Sequence, residues 1–145
     1  MSVYESSKPC PCGFKGASFG AKKSSLSKVL SYAACCAPLI DGAKPAPDPS
    51  TLMRSRYTAY VLEKEQYLLN TWHPSHRPKR IEFEEGIKWL GLELRQYAQK
   101  GADSAEVEFV ARYRIGGKGV RLHERSSFAK HNCCWVYTEG EILSK

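Results

Sequence analysis

The sequence predicts an α+β fold, and three observations on this chain of 145 residues carry that reading. Apolar residues recur at helical spacing between Ser50 and Trp72 and alternate from Ala105 to Ile115. Helical segments come first and strands follow in one run, the order of an α+β layout. Four cysteines, Cys10, Cys12, Cys35 and Cys36, form two tight doublets ahead of the first helix. That segment has few large aliphatics and needs another source of order, for which a metal is the common solution. We divide the chain into a cysteine-bearing segment and linker, residues 1–47, and an α+β domain, residues 48–145.

Phe14 to Lys28 is rich in Gly, Ser, Ala and Lys and reads as a surface loop. Val29 to Ala34 reads as a short helical turn delivering Cys35 and Cys36. Prolines at 45, 47 and 49 mark Asp41 to Pro49 as a linker. A helix is expected from Ser50 or Thr51, with Ser50 as its N-cap. Leu52, Met53, Tyr57, Tyr60 and Val61 form its apolar stripe. After a break near Glu63 to Glu65, a shorter helix runs from Gln66 to Trp72, and His73-Pro74 ends it. Strands are expected over Ile87 to Ala98, with a bulge or bend at Gly91, then over Ala105 to Ile115 and Val120 to Lys130. Gly116 to Gly119 is the hairpin turn. The last strand runs from Cys134 to Thr138.

Composition narrows the function. With 42% hydrophobic residues there is material for one core, not two. The formal net charge is +7, which permits weak attraction to acidic partners. Acidic runs such as Glu82-Phe83-Glu84-Glu85 argue against a nucleic-acid arm, so nucleic acid ranks last among partners. Met1 to Glu5 does not read as a signal peptide, and no run of about 20 apolar residues exists. A cytosolic protein without a membrane partner is expected, and there paired cysteines read as metal ligands rather than disulfides. No nucleophile elbow, phosphate loop or dinucleotide fingerprint is present.

Two close thiol pairs can give four sulfur ligands to one structural zinc ion. Gly13 frees the backbone to turn after the first doublet. Lys8, Lys15, Lys22 and Lys23 can soften the charge of a four-thiolate centre. Cys133 and Cys134 read as plain small side chains, pointing apart at a strand start. Period two places Glu124 and Ser126 on the apolar face of the third strand, beside Val120, Leu122 and Phe128. An acid there either faces a pocket or is buried against Arg54 or Arg56, and the ion pair is the preferred reading. Arg121, His123 and Arg125 face the other way. If Ile115 pairs with Val120, they oppose Arg112 and Arg114, as a cationic ridge or as a solvated face partnered by Glu106 and Glu108. His73 and His76 read as a solvated turn rather than a metal site.

These pieces resemble a known family. Cys10-Pro11-Cys12-Gly13 followed by Tyr32-Ala33-Ala34-Cys35-Cys36 is similar to the SEC-C motif, a small zinc motif. Asp41-Gly42, Leu52-Met53-Arg54-Ser55-Arg56-Tyr57-Thr58-Ala59-Tyr60, Thr71-Trp72-His73-Pro74 and Leu122-His123-Glu124-Arg125-Ser126 resemble the YchJ family of small bacterial proteins. The resemblance implies a zinc module joined to a nuclear-transport-factor-like, or cystatin-like, domain, in which an antiparallel sheet curls around helices and leaves a conical pocket. The stretch from Gly13 to Ala34 departs from the short connection usual in the motif, at small entropic cost. A non-enzymatic protein-interaction or adaptor role with an unknown protein partner is the first expectation. The second is a small-molecule pocket, in the manner of isomerases and dehydratases of that fold, with Glu124 as acid or base. Tyr57, Tyr60 and Trp72 would line it, beside Arg54, Arg56 and Ser126.

Overall fold

A computed structural model describes residues 6–15 and 28–144. Met1 to Glu5, Lys22, Lys23 and most of the expected surface loop lie outside the described residues. A 3-10 turn, Tyr32–Ala34, precedes three helices, α1 (Ala37–Ile40), α2 (Pro49–Val61) and α3 (Glu65–Asn70). Four strands follow, β1 (Lys88–Gly101), β2 (Ser104–Ile115), β3 (Lys118–His131) and β4 (Cys134–Ser144). They form one antiparallel sheet in chain order. The α+β expectation holds.

The start of α2 differs from expectation. Asp48, not Ser50, is the N-cap, and its carboxylate accepts the Thr51 amide at 2.7 Å and the Ser50 hydroxyl at 2.7 Å. Pro49 then opens the helix, where a missing N–H is harmless and its fixed φ suits the first turn. Burial alone would raise the Asp48 pKa, but these bonds hold it below the ordinary value. The helix stops at Val61, and Glu63 turns the chain with φ +55.

The sheet also corrects a register. Gly116 and Gly117 both have positive φ (58 and 78) and make a two-residue turn, so Ile115 faces Lys118 rather than Val120. Arg112 therefore opposes Arg121, and His123 opposes Val110. The bulge near Gly91 is present, with Leu90 the unpaired residue between Trp89 and Gly91. Strand β4 runs six residues beyond Thr138, the expected end. Thr138 and Leu143 each sit outside the pairing at a register shift. Those shifts scramble the alternation on which sequence reading depends.

The core lies between α2 and the inner sheet face. Leu52, Met53 and Tyr57 of α2 meet Val107, Phe109, Ala111 and Phe128. A second, smaller cluster is built from Cys10, Cys12, Tyr32 and Cys36, with Leu62 and Leu92 packed against it. It covers the other side of α2, which is why Ser55 and Thr58 are buried as fully as the apolar stripe; Arg56 is buried instead by Leu68, Thr71, Trp72 and Tyr137.

Gly42 follows α1, and its amide bonds the Ala37 carbonyl at 3.2 Å. A Cβ there would lie 2.6 Å from the Pro38 carbonyl oxygen, a backbone atom with little room to move. Gly42→Ala should destabilise the protein by about 1–3 kcal/mol. A urea midpoint unchanged from the parent would refute the close approach.

Candidate metal centre and cavity

The cysteine doublets meet because two short segments pair. The Cys10 amide donates to the Leu30 carbonyl at 2.9 Å, Leu30 returns a bond to Phe14 at 2.9 Å, and Tyr32 bonds Lys8 at 2.8 Å. Gly13, at φ +74, folds its amide back onto the Cys10 carbonyl at 3.0 Å. The 3-10 turn, capped by the Ser31 side chain, then presents Cys35 and Cys36. All four sulfurs lie within 4.8 Å of one another. The Cys12–Cys35, Cys12–Cys36 and Cys35–Cys36 separations are 3.6, 3.8 and 3.9 Å. Four sulfurs about 2.3 Å from one ion at tetrahedral angles stand about 3.8 Å apart. The thiol cluster therefore fits a four-sulfur metal centre. Among the described residues no other group of metal-binding side chains converges in this way.

Crowding divides the thiols. Hydrogen bonding from Cys12 lowers the Cys10 pKa most, and the same proximity to Cys10 pushes Cys36 up. Four thiolates packed this closely need a cation among them.

The cluster sits on α2. Thr58 donates its hydroxyl to Cys36 Sγ at 3.4 Å and lies 3.6 Å from Cys10 Sγ. Arg54, at 4.6 Å from the Phe14 ring, stacks on this module and not in the cavity. Asp41 accepts the Tyr32 hydroxyl at 3.0 Å and pairs with Lys64 at 3.6 Å, tying the module to the turn after α2.

On the other side of α2 the sheet lines an open cavity of about 320 Å³. Arg56, Tyr57, Tyr60, Glu124 and Ser126 line it; Arg54 and Trp72 do not. Trp72 instead stacks under Arg56 and donates its indole N–H to the Thr138 carbonyl at 3.1 Å. Arg56 is 3% exposed and, among the described residues, has no carboxylate within ion-pair distance. It donates Nη1 to the Leu68 carbonyl at 2.8 Å and to Thr71 Oγ1 at 2.7 Å, and its guanidinium faces the Tyr137 and Trp72 rings at 4.5 and 5.1 Å. Burial lowers its pKa, and the surrounding tyrosines oppose that shift.

The expected ion pair between Glu124 and an arginine is not formed. Glu124 accepts the Ser126 hydroxyl at 2.9 Å. Burial raises its pKa, although Ser126 and the field of Arg56 pull it down. Gly140, opposite Ser126, leaves room for this carboxylate, since a Cβ there would collide with Glu124 and with the Tyr137 hydroxyl. Burial pushes the Tyr57 pKa up to about 12, against the opposing influence of the Gly91 backbone.

Sequence reading missed the cavity walls formed by Tyr137, Trp89, Tyr113 and Phe109. The signal for Phe109 and Tyr113 was present, since they share the inner face of β2. Thr58 was also missed; its signal is the spacing of small polar residues at 55 and 58. The outer face is the solvated, partnered arrangement. Glu108 lies 2.8 Å from His123 Nε2 and accepts from Arg125 at 3.4 Å, while Glu106 pairs with Lys100. Cys133 stands exposed in the β3–β4 turn with φ +66, so it is not in a strand. His73 packs against His76 and His131 and accepts from Ser75.

An α+β domain with an open cavity, carrying a four-cysteine module able to hold a metal, defines the class. The chain belongs to the YchJ family: residues 48–140 match the family's description as YchJ, middle NTF2-like domain. A UPF0225 protein of Polaromonas naphthalenivorans is 48% identical over 133 residues, covering 92% of this chain and 96% of its own. The solution structure of a SEC-C motif containing protein from Rhodopseudomonas palustris is 35% identical with a TM-score of 0.71, over 81% of this chain and 95% of that one. A crystal structure of a SEC-C motif containing protein from Psychrobacter arcticus is 27% identical with a TM-score of 0.76, over 97% and 85%.

Thr58→Val keeps the volume and removes the donor to Cys36. It should weaken retention of a metal ion by the four thiols about 10–100-fold in competition with a chromophoric chelator, and unchanged retention would remove Thr58 from the centre. A second prediction concerns pH. The folded state holds the Glu124 proton more tightly than the unfolded chain, so this residue's contribution to stability falls as pH rises from 4.5 through its raised pKa. Glu124→Gln should therefore melt above the parent at neutral pH, and the gap should close in acid. A lower melting temperature at neutral pH would mean that Arg56 holds Glu124 as an anion.

Proposed function

We propose that this protein is a binding protein held in shape by one structural zinc ion, with no chemistry at the metal. The observation that carries this reading is the closed donor set. Cys10, Cys12, Cys35 and Cys36 would all bind as thiolates, leaving no open position for water or substrate. Zinc would supply the order that the second cluster, with few large aliphatics, does not supply by itself. In this reading the module acts in protein interaction. Its outer surface, including Ser7, Lys8, Ala33 and Ala34, is exposed and is the face offered to a protein partner.

The cavity supports a second reading, a small-molecule site with Glu124 as its acid or base. Its support is a carboxyl with a raised pKa, bonded to Ser126, facing a concave space of ligand size. Among the described residues no helix is long and apolar enough to cross a membrane.

Elemental analysis should find one zinc per chain. Cys36→Ser should abolish that stoichiometry, and chelation should collapse amide dispersion for residues 6–15 and 28–42 while β1 to β4 persist. Zinc content unaltered by Cys36→Ser would overturn the ligand assignment.

A further inference from the structure

The cavity has a charge of its own. Four carboxylates line it, Glu63, Glu82, Glu84 and Glu124, against one cation, Arg56. This is the reverse of the whole chain, whose net charge is +7. Glu63, Glu82 and Glu84 are exposed and form the rim, and Glu124 lies inside. Glu82 is paired, with Arg80 at 3.4 Å, both largely in solvent. Glu63 and Glu84 have no cation within ion-pair distance among the described residues.

Between rim and floor the wall is aromatic and continuous. Phe83 meets Tyr60 at 6.3 Å between centroids, Tyr60 meets Trp89 at 6.5 Å, and Trp89 meets Tyr57 and Tyr113 at 5.5 and 5.2 Å. Ring faces carry negative potential, and several rings around one space hold organic ammonium ions by that means. The rim adds the same sign at longer range.

Arg56 does not reverse this. Its Nη1 is engaged by Leu68 and Thr71, and its faces are covered by Trp72 and Tyr137. A ligand carboxylate in the cavity would face four glutamates beside this one cation. We propose that the cavity binds a small organic cation, an amine or quaternary ammonium with an apolar body, ammonium toward Glu124 and the aromatic wall. This rests on the small-molecule reading of the cavity and specifies its ligand class. A volume of about 320 Å³ admits a molecule about the size of a benzyl-substituted ammonium.

The test is a matched series of probes, benzyltrimethylammonium, its neutral isostere neopentylbenzene, and the anion benzylphosphonate. Binding to the full zinc-loaded chain is read by tryptophan fluorescence and by the Trp89 indole resonance. The cation should bind at least about tenfold more tightly than either other probe. Glu124→Gln should reduce that preference about tenfold and leave neopentylbenzene unchanged. Glu84→Gln, at the exposed rim, should lower cation affinity by a smaller factor that vanishes in high salt, and it serves where Glu124→Gln does not fold. Neopentylbenzene or benzylphosphonate binding as tightly as the cation would overturn the charge class and leave the cavity a ligand site. No binding of any probe at millimolar concentration would overturn both. A cation preference that survives both substitutions would likewise sink the proposal.

Discussion

Helix α2 has no broad solvent face, and the rest of the structure depends on that constraint. The sheet covers one side through Leu52, Met53 and Tyr57, and the cysteine module covers the other through Ser55 and Thr58. Each polar group enclosed this way must find a partner. Ser55 donates to the Leu52 carbonyl at 2.8 Å and lies 2.7 Å from the Tyr67 hydroxyl. Arg56 reaches Leu68 and Thr71, and Thr58 reaches sulfur. Among the described residues no buried side-chain nitrogen or oxygen lacks a partner. A short polar helix thus becomes the spine of the domain, because its neighbours on both sides are shaped to its polar atoms.

The two coverings differ in kind. The sheet side is an ordinary apolar core, stabilised by area removed from water. The module side consists of three buried cysteines, one tyrosine and the aliphatics at their margin. Its shape is set by backbone bonds between residues 8–14 and 30–32 and by convergence of sulfur. Asp41 anchors the module by accepting from Tyr32 while facing Lys64, but this last pair is half in solvent and contributes little. The thiol cluster therefore carries a larger share of the docking than its area suggests, which is why the donor set and the Thr58 hydroxyl belong to one argument.

Much of this was legible in the sequence, for reasons that differ by element. Cysteine spacing in a segment poor in aliphatics pointed to a cluster without any knowledge of the fold. Alternation in β2 identified the inner face, and period two in β3 placed Glu124 and Ser126 on it. Arg54 and Arg56 show where such reading ends. Two residues of one helix lie about 200° apart, so one stacks on Phe14 while the other enters the cavity. Nothing in composition distinguishes them, because the second covering on α2 is a tertiary fact. The length of β4 was hidden by its register shifts, and the β2–β3 register turned on whether two or four residues make the turn. Val110 sits on the outer face and is nonetheless fully buried, which period two cannot signal.

Opposite charges meet at the cavity floor without forming an ion pair. Arg56 and Glu124 feel each other's field, yet each takes its hydrogen bonds from neutral neighbours. A direct bridge would satisfy both and close the space between them. The observed arrangement keeps them apart by three features. Tyr137 and Trp72 hold the guanidinium by its faces, the Leu68 carbonyl and Thr71 fix its edge, and Gly140 leaves a recess for the carboxyl. The features draw together on α3, the stretch after it and β4. Neutral partners on each group thus leave an open, polarised floor, which the small-molecule reading proposed for the cavity requires.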